Sequence, residues 1–244
     1  EMLLAIGEDP SRDGLVDTSS GQHMALTAER LAEHYRIDRA AQDAFALRSQ
    51  QNTHRAYSEG RYQDELVPVD KLDRDEHPRP DTTLEQLATL RPSFKPEGTI
   101  TAGNASGIND GAAMLVVCAE PVAIRSGWSI LATIGPYAAV GCDPQWMGLG
   151  PVHATRRLCE RSQIQLSDFD TIELNEAFAA QALACMQELS LEPERVNPDG
   201  GAIALGHPIG ATGARLAVHL AHRIARGWTK RALATLCVGG GMGL

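Results

Sequence analysis

The 244-residue chain reads as an α/β protein, and three observations lead there. Short apolar runs bounded by turn residues recur through the second half: GAAMLVVCAE, WSILATIGPYAAVG, FDTIELN and RALATLCVGG. Helical patterns lie between them at 151–162, 176–189 and 209–227. Strands that alternate with helices imply a mostly parallel sheet covered on both faces. Finally, 43% hydrophobic and 22% charged residues supply enough apolar side chain for a sizeable core.

The first half is read element by element. After a loop-like start, helical spacing begins at Thr27, where TAERLAEHYRI offers a threonine cap but places Arg30 where the acid of a capping box would sit. Asp38 opens a second helix, DRAAQDAFALRSQQNTHRAYSEG, with Ala41, Phe45 and Ala46 as its buried face and Gly60 as its end. DELVPVD reads as a short edge strand, because Pro68 cannot donate to a ladder. From 71 to 96, charge and the prolines Pro78, Pro80, Pro92 and Pro96 mark an excursion over the surface, interrupted by one short helix at TTLEQLATL.

Composition narrows the function. A net charge of -9 argues against sequence-independent nucleic-acid binding, which needs a basic face. It leaves room for a phosphorylated small ligand, for which a few local cations and helix N-termini suffice. The longest apolar stretch, 130–142, is interrupted by Gly135 and Pro136 and is too short to span a bilayer. The five cysteines, Cys118, Cys142, Cys159, Cys185 and Cys237, form no C-x-x-C pair, so a reducing, cytoplasmic setting is expected. His219 and His222 stand three apart in HLAHRIARG; that spacing more often marks a solvated or half-buried face than a metal site, and no metal is expected.

Ligands of open α/β sheets gather beyond the carboxyl ends of the strands. Three polar features fall there: Asn175 and Glu176 after FDTIEL, Cys237 after ATL, and His207 in NPDGGAIALGHPIGATGAR (197–215). Taken singly, Cys237 is a buried strand-end cysteine, Asn175 a helix cap and His207 a structural histidine. Taken together, they form a set that could supply an acid, a base and an oxyanion donor. Pro208 pushes His207 toward an extended backbone, so its ring projects from a rigid loop. The loop fits neither nucleotide-binding glycine fingerprint.

These residues carry a family resemblance. NEAFAAQ (175–181), the 197–215 loop, LCVGGGMG (236–243), GQHMALTAE (21–29), TAGNASGINDGAA (101–113) and MGLGPVHA (147–154) resemble, in order, the signature blocks of the thiolases, the acetyl-CoA acetyltransferase and 3-ketoacyl-CoA thiolase family. The resemblance implies reversible thiolysis and Claisen condensation of coenzyme A thioesters, with CoA and acyl-CoA as substrates and no permanently bound cofactor. It implies that His207 is the base that activates a nucleophilic cysteine, and that Cys237 is a second cysteine that moves a proton on or off the α-carbon or the CoA sulfur. Asn175 would hold a water beside His207 in one oxyanion hole, and the Gly239 N–H would belong to another. Ser106, His23, Met24, Met147 and Phe178 match pantetheine-lining positions, and a homodimer or homotetramer is expected. Ala25 departs from the glycine usual in that block.

The resemblance also implies an organisation: a loop domain at 1–106, a remnant of the first α/β half at 107–127, and the second half at 128–244 without its closing strand. None of the five cysteines stands in the context of the family's nucleophile. The chain is therefore expected to be a fragment, inactive alone, with GAAMLVVCAE as a strand without its parent sheet. The alternative is a non-catalytic, CoA-binding relative of the same fold; a proton-relay thiol has no purpose in such a binder. A ketoacyl synthase-like enzyme would carry a second histidine where Cys237 stands.

Overall fold

The computed structural model describes residues 14–17 and 20–244. Helix α1 (Met24–Tyr35) starts three residues before Thr27, because the His23 side chain accepts the Ala25 N–H at 3.1 Å and caps it. Helix α2 (Arg39–Ser58) is capped as the sequence predicts, with the Asp38 carboxylate accepting the Ala41 N–H at 2.7 Å. Its buried face holds Phe45 and Ala46, whereas Ala41 is exposed and Gln42 and Asp43 are buried instead. DELVPVD forms turns with a single bridge, Val69 to Leu72, rather than an edge strand. Beyond it, α3 (Leu84–Thr89) carries a full capping box between Thr83 and Gln86.

The second half contains α4 (Glu120–Ser126), β1 (Val140–Gly141), a 3₁₀ turn (Pro144–Leu149), α5 (Gly150–Ser162), β2 (Thr171–Leu174), α6 (Ala179–Leu189), α7 (Ala202–Leu205), α8 (Thr212–Ala225), β3 (Ala232–Thr235), β4 (Cys237–Val238) and β5 (Met242–Gly243). Strands β2 and β3 pair in parallel, Thr171 opposite Ala232 through Leu174 opposite Thr235. The remaining strands form a second, antiparallel sheet in the order β1-β5-β4, so among the described residues only the β2–β3 pair is parallel.

Of two predicted strands, GAAMLVVCAE is absent as such and WSILATIGPYAAVG is reduced to its last two residues, β1. Residues 111–119 and 128–139 adopt no regular structure, and Met114 is 87% and Val116 79% exposed. A strand is held by its neighbour's hydrogen bonds, and among the described residues no strand lies beside these segments. The exposed apolar surface expected there is present; the strand geometry is not.

The alternation of β2 organises everything around it. Ile172 and Leu174 face one way, into a core with Phe45 and Ala46 of α2 and Ala182 and Cys185 of α6. Glu173 and Asn175, both fully buried, face the other way, toward α8 and the 197–206 loop. There Asp199 lies buried among Arg61 (3.3 Å), His219 (3.3 Å) and Arg223, and its carbonyl accepts from Tyr62 Oη. His219 also meets Glu65 at 3.0 Å, so it is a buried ionic residue and not the solvated face its spacing predicts. The reason is that Glu65 beyond α2, Asp199 in the loop and Glu173 on β2 together supply enough opposite charge to seal it.

Ile172→Ala, at a site 1% exposed, is expected to cost about 2–5 kcal/mol in urea denaturation. Val116→Ser, on the exposed strip, is expected to change stability by no more than about 0.5 kcal/mol.

Candidate active site

The site grows from the carboxyl end of the β2–β3 pair. Asn175 extends the ladder by donating its N–H to the Thr235 carbonyl at 3.0 Å. It does not cap the following helix, which begins at Ala179 behind Phe178. This leaves its carboxamide free to reach sideways, and Nδ2 lies 3.3 Å from Nε2 of His207.

His207 is held from three sides. Its N–H donates to the Gly107 carbonyl at 3.1 Å, in a parallel bridge with Ile108. Gly206 precedes it at φ 95°, a region costly for any residue with a Cβ, and a Cβ there would also overlap the Asn109 carboxamide. Its Nδ1 lies 2.7 Å from the Thr212 hydroxyl at the start of α8. Burial, helped by the positive charge of Arg215, pushes the imidazole pKa down to about 4.

Cys237 opens β4 two residues beyond Thr235, at the same end of the sheet as Asn175. It packs with Met147, Phe178, Ala25 and Ala105 in one apolar cluster, with Met24 against its edge. Burial pushes its thiol pKa up to about 12, so the sulfur holds its proton at neutral pH. Gly239 lies under the Met24 methyl, where a Cβ would overlap it.

The remaining candidates adjoin this cluster. Ser106 donates both N–H and Oγ–H to the Ala177 carbonyl, each at 3.1 Å, and its neighbour Ala105 bridges Phe178. His23 stacks on Phe94 with ring centres 4.7 Å apart, and burial lowers its pKa. All nine candidate residues thus fall into two adjoining groups: the Asn175–His207 pair with its supports, and the Met24–Met147–Phe178–Cys237 cluster flanked by His23, Ser106 and Gly239.

Sequence reasoning missed Thr212 and Arg215. Both stand on one face of the first turns of α8, three residues apart, and that spacing after His207 was the available signal. Glu176 was noted as a strand-end acid; it is a fully buried anchor, accepting from Ser49 Oγ at 2.7 Å, Asn197 Nδ2 at 2.8 Å and Ile203 N at 3.1 Å. No group of three or more His, Cys, Asp or Glu side chains among the described residues is arranged to hold a metal ion.

An unprotonated imidazole, a buried carboxamide and a protonated thiol at one end of an α/β sheet make a site suited to moving protons at neutral pH. The chain belongs to the thiolase family: residues 7–121 match the model described as thiolase, N-terminal domain, and residues 128–244 the one described as thiolase, C-terminal domain. It is 49% identical over 241 residues to an acetyl-CoA acetyltransferase of Chromobacterium violaceum, covering 95% of this chain and 62% of that protein. It is 51% identical over 231 residues to a beta-ketoadipyl-CoA thiolase of Pseudomonas aeruginosa, covering 91% and 58%. Its fold is similar to the crystal structure of the Bacillus anthracis acetyl-CoA acetyltransferase, with TM-score 0.91 and 44% identity over 98% of this chain and 63% of that one. It is also similar to human mitochondrial 3-ketoacyl-CoA thiolase in complex with CoA, with TM-score 0.88 and 43% identity over 94% and 59%. The chain therefore spans about 60% of the length of these relatives.

The ring protons of His207 are expected to titrate near pH 4 and those of His219 near pH 9 by NMR; burial alone would depress His219, but Asp199 and Glu65 outweigh it. The signs for stability are opposite. The His207 contribution is full above about pH 6.5 and is lost as pH falls toward 4, while that of His219 is full below about 6.5 and lost as pH rises through 9. His219→Gln is accordingly expected to flatten the alkaline limb of a thermal-stability profile.

Proposed function

We propose that this chain supplies the base, the proton-carrying thiol and the CoA-facing surface for acyl transfer on coenzyme A thioesters, as the larger part of a thiolase. In that reading the parent runs reversible thiolysis and Claisen condensation between 3-ketoacyl-CoA and acetyl-CoA. The supporting observation is the 3.3 Å approach of the Asn175 amide to His207 Nε2 at the sheet end that also carries Cys237. The depressed imidazole pKa keeps Nε2 able to take a proton from a nucleophilic thiol. Cys237, protonated, donates to a leaving sulfur or an enolate carbon and recovers the proton in the reverse direction. Asn175 and the Gly239 N–H serve as oxyanion donors, directly or through a water, where the loss of one such donor costs roughly 10²–10³ in rate. Met24, Met147 and Phe178 give an apolar wall for the pantetheine arm, with Ser106 and His23 as polar neighbours.

The same reading divides the chain into a loop domain at 1–106, a segment of the first α/β half at 107–127 and the second half at 128–244. Support comes from the coverage of about 60% of the relatives' length and from the apolar strip at 111–137, a surface suited to the rest of an α/β half. The nucleophilic cysteine then lies outside these 244 residues. The runner-up, a CoA-binding protein without catalysis, rests on the absence of any motif-matched nucleophile in the chain.

Two measurements separate these readings. The 244-residue chain is expected to show no acetoacetyl-CoA thiolysis; turnover by it alone would place the nucleophile among the five cysteines and overturn the division. A parent containing the missing segment is expected to turn over, with His207→Ala lowering kcat by roughly 10²–10⁴. CoA binding by that parent without turnover would favour the non-catalytic reading.

A further inference from the structure

We propose that Thr212 is a positioning residue for His207: its hydroxyl accepts the Nδ1–H of the ring and so fixes the tautomer in which Nε2 keeps its lone pair. The argument is one of donor direction. Thr212 Oγ1 lies 3.0 Å from the Pro208 carbonyl, which has no proton to give, so the hydroxyl proton points there. The oxygen is then an acceptor toward His207 Nδ1 at 2.7 Å, and that nitrogen must carry the ring's proton. On the other side, Asn175 Nδ2 can only donate, and it faces Nε2 at 3.3 Å. The three contacts are satisfied together by one proton order: amide to Nε2, Nδ1–H to hydroxyl, hydroxyl to carbonyl. The reversed order would aim an Nε2–H at the amide's own hydrogens.

Position supports the assignment. Thr212 is 1% exposed, so its hydroxyl has no solvent alternative. It is also the first residue of α8, where its N–H donates to the same Pro208 carbonyl at 2.9 Å. Loop, ring and helix start are thus tied to one carbonyl five residues before Gly213, and a change in the ring's tautomer would disturb the helix start. A weak, long contact on Nε2 and a short one on Nδ1 is the arrangement a base needs: one nitrogen anchored, the other displaceable by a reacting group.

This inference rests on the proposed function only for what the free lone pair is used for; the tautomer itself is testable on the 244-residue chain. Long-range ¹H–¹⁵N correlation spectra are expected to show His207 with a protonated Nδ1 and an unprotonated Nε2 between pH 6 and 8. Thr212→Val is expected to abolish that pattern, giving the other tautomer or a mixture, and Thr212→Ser to restore it. If Thr212→Val does not fold, Thr212→Ala carries the same comparison. A wild-type ring protonated on Nε2, or an unchanged pattern in the Val and Ala variants, overturns the proposal. In the longer parent, Thr212→Val is expected to lower kcat roughly 10²-fold with KM little changed, and Thr212→Ser to stay within about threefold of wild type. Full activity in the Val variant overturns the positioning role. A parent inactive with intact Thr212 would instead refute the proposed function and leave the tautomer result standing.

Discussion

The site depends on one buried charge. Asp199 sits in the middle of a loop whose sequence, NPDGGAIALGHP, has little apolar side chain of its own before the short α7 turn. Such a loop would be free to move if only its glycines touched the protein. Asp199 instead lies sealed among Arg61, His219 and Arg223, with Tyr62 Oη donating to its carbonyl. An unpaired carboxylate at that depth would cost several kcal/mol, so the loop and its counter-charges are ordered together or not at all. Glu176 pins the same loop from below through Ser49, Asn197 and Ile203. His207, eight residues beyond Asp199, inherits its position from both anchors.

These anchors explain why parts of the structure were legible in the sequence and parts were not. Helix α2 and the β2–β3 pair could be read because their signals are local: Asp38 as a cap, and an apolar run between turn residues. Asn175 and Cys237 could be placed at strand ends because apolar runs stop there, whereas His207 follows the short α7 turn and was marked by its glycine-rich loop. The burial of His219 could not be read, since it depends on Glu65 and Asp199, which approach from far along the chain. Thr212 was hidden for a related reason. A threonine entering a helix looks like a helix residue, and only the direction of the His207 ring gives its hydroxyl a second purpose. The segments 111–119 and 128–139 failed in the opposite sense. Their apolar pattern is right for strands, but a strand is completed by a neighbour's backbone, which local sequence cannot supply.

Arg215 links Glu173 and His207 on the α8-facing side of β2. Its guanidinium lies 4.0 Å from the buried Glu173 carboxylate and also disfavours a proton on His207. Glu173, whose own pKa is raised by burial, has His219 at 3.9 Å on its other side. The positive charge that assists burial in keeping the imidazole neutral is therefore held in place by an acid two residues from Asn175 on the same strand face. Electrostatics and positioning come from the same short stretch, FDTIELNE, which is why that motif and the histidine loop act as a unit although they are thirty residues apart.

The state of Cys237 can be argued without reference to any relative. Nucleophilic cysteines work as thiolates, and proteins lower their pKa with nearby cations, helix N-termini or an ionised histidine. Cys237 has none of these in its immediate cluster: Met147, Phe178, Ala25 and Ala105 are apolar, and burial drives the thiol pKa up to about 12. The His207 imidazole is itself neutral and so supplies no cation for an ion pair. A thiol in such surroundings attacks a thioester poorly and gives up its proton only to a stronger base formed beside it, such as an enolate carbon. Loss of that proton leaves a sulfur anion that the apolar cluster penalises, which favours its prompt return. The same burial that makes Cys237 an inferior nucleophile suits it, in the proposed function, to carrying a proton rather than attacking, and that reading draws its attacking sulfur from elsewhere.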